Sequence, residues 1–82
     1  MEAVSGIHSF LEYVIQGITN HPERTHVALR EQHGTTIFDL SADGEDIPRL
    51  IGSAGSTVNA LRALAQATAV QHGSRVNVEI SD

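Results

Sequence analysis

Leu50-Ile51-Gly52-Ser53-Ala54-Gly55-Ser56-Thr57-Val58 is the stretch on which the fold turns. Two apolar-striped segments meet there across four residues with glycine at both ends. The segment before it reads as a short helix beginning near Pro48, a residue tolerated in a first turn. Ile47, Leu50 and Ile51 are its apolar residues, and Gly52 ends it. The segment after it carries Val58, Leu61, Leu64, Ala65 and Thr68 at helical spacing. Ala60, Ala63, Ala67 and Ala69 keep that helix thin, and Gly73 fits a C-terminal cap. Glycine at each end of the turn permits backbone angles that other residues resist and removes side-chain bulk. A polymer backbone can then come close to the peptide amides. The helix starting at Ser56 aims its free N–H groups, with their partial positive charge, at the same place. The result is a small anion seat that needs no Lys or Arg. A G-x-x-G turn alone is more often a plain helix connection; its setting gives it weight.

Upstream, Val4, Ile7, Leu11, Val14 and Ile18 recur at steps of three and four, with Phe10 and Ile15 widening the stripe. This predicts an amphipathic helix that stops at Asn20-His21-Pro22, because Pro22 cannot continue it. Thr25–Arg30 and Thr36–Leu40 alternate as strands, with Val27 and Leu29 on one face of the first and Phe38 and Leu40 together on one face of the second. Gly34, in the loop Glu31–Thr35, suits a hairpin turn. Ser41–Asp46 is a polar loop in which Asp46 or a neighbour can cap the next helix. Arg75–Ile80 is a last strand with Val76, Val78 and Ile80 inward. The order is α-β-β-α-α-β. Three one-faced strands and three one-striped helices predict a two-layer α+β domain spanning residues 1–82, with helices on one face of a mixed or antiparallel sheet.

In this order, the I-G-x-x-G element resembles a KH domain of the type II arrangement. The segment from Asp46 to Arg62 is similar to the core of the small bacterial KH proteins of the KhpA (YlqC) family, and the likeness extends over nearly the whole chain. The resemblance implies single-stranded RNA binding, with the loop clamping the RNA backbone. It also implies a homodimer, or pairing with a larger KH-containing RNA-binding protein, and a role as an RNA chaperone or post-transcriptional regulator. Carried onto this chain, Gly52, Ser53, Ala54 and Gly55, followed by Ser56, are the clamp. Leu50, Ile51 and Val58 support or floor the groove beside it, and Arg49 and Arg62 face phosphates. Two departures stand out. The family's loop usually carries Lys or Arg at its first variable position, where this chain has Ser53 followed by Ala54. Pro48 replaces what is often glycine.

Composition bounds the alternatives. The 82 residues contain no cysteine, which excludes disulfides, thiolate metal sites and cysteine nucleophiles. No apolar run approaches the ~20 residues of a membrane span, and Met1–Val4 lacks a signal-peptide pattern; a cytoplasmic protein is expected. The net charge is −5 and all five basic residues are Arg. That opposes tight RNA binding, since phosphate neutralisation normally supplies much of the affinity. Weak, salt-sensitive binding of low specificity is therefore expected of one copy, with two copies recovering affinity together. His8, His21, His26, His33 and His72 have no metal-ligand spacing on a helix. Asp43, Glu45 and Asp46 read as a capping set. No nucleophile, base and orienter converge, so no catalytic residue, metal or cofactor is assigned. A KH-fold protein-interaction module with diminished RNA affinity is the alternative.

Overall fold

The computed structural model of the protein describes residues 2–81. Its elements are α1 (Glu2–Ile18), β1 (His26–Gln32), β2 (Thr35–Ser41), α2 (Ile47–Ile51), α3 (Ser56–Gln71) and β3 (Val76–Ile80), with single 3-10 turns at Pro22–Arg24, Gly44–Asp46 and Ser53–Gly55. The sheet order is β1-β2-β3. β1 and β2 form an antiparallel hairpin, whereas β2 and β3 run parallel. The parallel pair follows from the α2-α3 crossover, since strands joined through helices can return in the same direction. The sheet is therefore mixed.

One layer of helices covers one face of the sheet. Ile7, Leu11 and Ile15 of α1 meet Leu50 of α2, Val58, Leu61, Ala65 and Ala69 of α3, and Val27, Phe38, Leu40, Val76 and Val78 of the strands. Phe38 is the largest fully buried side chain, and the rest of the core is aliphatic. Ile15, placed by the sequence at the stripe's margin, lies at its centre with no exposure, while Phe10 is exposed.

The hairpin is tighter than the alternation suggests. Gln32 pairs with Thr35, leaving a two-residue turn of His33 (φ 52°) and Gly34 (φ 80°). Two consecutive positive φ values match the right-handed twist of the flanking strands. Histidine is no strong predictor of that conformation, so the strands extend further than expected. Three residues expected inward, Leu29, Leu64 and Thr68, are exposed. Leu29 is 49% exposed and Leu64 54% exposed. Leu61, Ala65 and Ala69, spaced by four, take the buried stripe of α3, which rotates Leu64 and Thr68 outward.

Asp46 does not cap α2 with its side chain. Its carboxylate is fully buried and accepts the backbone N–H of Asn20 (3.0 Å) and of His21 (2.9 Å). It thereby ties the chain leaving α1 to the start of α2. Asp43 is the capping residue instead, accepting from the Glu45 amide at 3.0 Å. That amide, with the Arg24 guanidinium, holds the Asp43 carboxyl below the usual carboxylate range.

Candidate nucleic-acid interface

The turn between α2 and α3 is built from three residues with positive φ. Gly52 adopts φ 79°, ψ 173°, Ala54 φ 54°, ψ 30°, and Gly55 φ 80°, ψ 12°. The Gly52 combination is essentially open to glycine alone. A Cβ at Gly52 would also overlap Thr57 Oγ1 and lie 2.6 Å from the Thr57 backbone nitrogen. Ala54 is a non-glycine residue in the left-handed region, at a cost of about 1 kcal/mol.

The backbone hydrogen bonds show which amides are free. Gly52 N–H donates to Pro48 O at 2.9 Å and closes α2. Gly55 N–H donates to Gly52 O at 3.1 Å, and Ser56 N–H to Ser53 O. The Ser53 and Ala54 amides donate to no acceptor among the described residues, and both residues are exposed. Neither Gly52 nor Gly55 can supply a side-chain cap. Two unanswered N–H groups therefore sit at the amino end of the 16-residue α3, where the helix dipole adds partial positive charge. The Gly55 amide is turned inward, so the seat is narrower than Ser53 to Gly55.

The other expected site residues divide into two groups. Ile51 and Ser56 are exposed beside the loop, and the Arg49 side chain is more than half exposed, its Nε 3.8 Å from Asp46 Oδ1. Leu50 and Val58 are buried and hold the loop from beneath. Arg62 is not a free surface cation. Its Nε and Nη2 donate to Val78 O at 3.1 and 2.8 Å, and its Nη1 to Asn59 Oδ1 at 2.8 Å. The Thr36–Arg75 and Ser81–Leu40 backbone bonds fix which groups of β3 face β2. By alternation, those of Val76, Val78 and Ile80 point to the strand's free edge. Arg62 thus stands at that edge.

Asn59, Arg62, Gln66 and Val70 recur at three- and four-residue steps and share one side of α3. Farther along α3, an open cleft of about 440 Å³ lies between α3 and β3, lined by Gln66, Val70, Arg75, Val76 and Asn77 among others. Asn59 and Gln66 were missed in the sequence, although their spacing from Arg62 was there to be read.

The charge distribution held a second overlooked signal. No Asp or Glu lies between Ile47 and Val78, whereas Arg49, Arg62 and Arg75 do. This stretch carries three positive charges and no negative one. The excess acid is elsewhere, where Asp43 pairs with Arg24, and Asp39 and Glu79 pair with Arg30. His21, Asp43 and Glu45 bring donor atoms within 4.8 Å of one another. Asp43 already accepts from Arg24 and the Glu45 amide, and His21 Nε2 lies 3.2 Å from Glu45 Oε1. The cluster is an ion-paired turn.

A three-stranded mixed sheet under three helices, with a G-x-x-G turn joining the second and third, defines a KH domain. The family model described as the KhpA/KhpB KH domain matches residues 8–80, and the chain belongs to that family. Among its relatives is an RNA-binding protein KhpA of Leifsonia xyli subsp. xyli, 35% identical over 72 residues, covering 88% of this chain and 92% of the relative. RNA-binding proteins KhpA of Chlamydia caviae and Chlamydia pneumoniae are 32% and 33% identical over 73 residues, covering 89% of this chain and 94% of each relative. No solved structure is significantly similar to the chain. Among the described residues, no helix is long and apolar enough to cross a membrane.

Proposed function

We propose that this chain is a non-enzymatic, cytoplasmic protein that binds single-stranded RNA. The phosphate backbone sits on the Ser53 and Ala54 amides, and the bases turn into the groove between α3 and β3. The two unanswered, exposed amides at the head of α3 carry this reading. The acid-free stretch from Ile47 to Val78 supports it, because phosphates approaching the loop meet the exposed Arg49 beside it. The family's RNA-binding relatives support it as well. Ser53 and Ala54 bring no cationic side chain of their own, so affinity is low and falls with salt.

A short labelled RNA titrated at low salt tests the clamp against Ser53→Asp plus Ala54→Asp. Two carboxylates at the seat repel phosphate, and binding is expected to fall about 10-fold, since each exposed like-charge contact costs ~0.5–1 kcal/mol. Unchanged binding by the double variant contradicts the clamp.

One observation favours a second role beside the first. Ile7, Phe10, Leu64 and Ala65 line an apolar groove between α1 and α3, with Phe10 39% and Leu64 54% exposed. We assign this face to pairing with a second copy or a larger KH-containing protein, which would place two weak RNA sites on one strand. If the unsubstituted protein binds no RNA at low salt, the protein-interaction role becomes the principal one.

A further inference from the structure

Asn59 and Arg62 have an unusual imbalance of hydrogen-bonding groups. A guanidinium has five N–H donors. Arg62 uses Nε–H and one Nη2–H on Val78 O, and one Nη1–H on Asn59 Oδ1. Two donors remain. Accepting from Arg62 fixes the Asn59 amide, so its Nδ2 faces the loop, 3.2 Å from where a Gly55 Cβ would lie. Both N–H groups of that Nδ2 are unanswered among the described residues. The nearby acceptors, Asn59 Oδ1 and Val78 O, are occupied. The Val78 N–H is answered by Asn77 Oδ1 at 2.9 Å. The Asn59–Arg62 side-chain pair therefore presents unanswered donors, while the acceptors it touches are already taken.

Building on the RNA-binding reading above, we infer that Asn59 and Arg62 select bases with two adjacent acceptors and reject adenine. Cytosine offers O2 beside N3, and guanine offers O6 beside N7. Each fits a paired donor. Adenine sets its N6 amino group beside N1 on one edge and beside N7 on the other, so a donor pair meets a donor. Uracil separates its two carbonyls with N3–H. The arrangement is fixed before binding, because Val78 O anchors Arg62 and Arg62 orients Asn59. Little side-chain entropy is then lost when a base docks.

Labelled ten-nucleotide runs of cytidine and of adenosine, titrated at low salt by fluorescence anisotropy, test this. The unsubstituted protein is expected to bind the cytidine strand at least ~5-fold more tightly, the lower end of what a good bidentate pair discriminates. Asn59→Ala lies at an exposed helix position where alanine is a good helix former, so the fold is kept. It is expected to shrink the ratio below ~2-fold with adenosine binding nearly unchanged. Arg62→Lys keeps the charge but loses the planar fork, and is expected to shrink the ratio likewise. Equal binding of the two strands by the unsubstituted protein overturns the inference while leaving RNA binding intact. So does a ratio that survives both substitutions. Failure to bind either strand overturns the RNA-binding reading itself, and the inference with it.

Discussion

Asp46→Ala is expected to destabilise the domain by about 2–4 kcal/mol, because it removes two hydrogen bonds to a charged acceptor and strands their donors. The Asn20 and His21 amides both point at this carboxylate, at 3.0 and 2.9 Å, and it has no solvent exposure. Alanine leaves a cavity and two N–H groups with no replacement acceptor. Asn20 lies at the surface, so water can reach one amide, and this places the loss below the sum of two full penalties. For a domain of this size the melting temperature should drop by roughly 10–25 °C. Asp46→Asn keeps one acceptor oxygen but faces an NH₂ group toward an N–H donor, and should fall between the two. Urea or thermal unfolding followed by circular dichroism measures both. A loss below ~1 kcal/mol for Asp46→Ala would show that the tie between α1 and α2 contributes no more than an exposed contact.

Gly52→Ala should cost a further ~2–4 kcal/mol in its own right, combining a backbone conformation essentially reserved for glycine with a steric overlap. Thr57 Oγ1 could rotate away from the new Cβ. The Thr57 backbone nitrogen, at 2.6 Å, cannot move without displacing the first turn of α3. The Ser53 and Ala54 amides would move with it, so RNA binding should be lost even where the domain stays folded. Gly55→Ala is the control. Its φ of 80° and ψ of 12° lie in the left-handed region that Ala54 already tolerates, and its Cβ meets only the Asn59 side chain at 3.2 Å. It should cost about 1 kcal/mol. Unfolding curves for the two variants separate the explanations: equal losses would mean that glycine is needed at Gly52 for flexibility and not for fit.

Features set by local pattern were legible in the sequence. The stripe of α1, the alternation of β3 and the glycines of the loop are encoded within a few residues of where they act. Features that depend on distant partners were not. Asp46 reads locally as a helix cap, but its acceptors are spent on amides 25 and 26 residues away. Arg62 reads as a cation facing phosphates, but the return of β3 brings Val78 O within reach of its guanidinium. Leu29 and Leu64 fit their apolar patterns. Both are exposed, and on α3 the buried stripe runs instead through Val58, Leu61, Ala65 and Ala69. The net charge misled for a related reason: a single total cannot show that all ten acidic residues lie outside Ile47–Val78.

The central claim is that backbone amides, unaided by a lysine in the loop, hold the RNA. Backbone amide chemical shifts recorded while a short single-stranded RNA is added test it most directly. The largest changes are expected at Ser53 and Ala54, with smaller ones from Arg49 through Arg62 and along the free edge of β3, and none at Phe10 or Tyr13 on α1. Shifts that leave Ser53 and Ala54 unmoved while the RNA binds would contradict it.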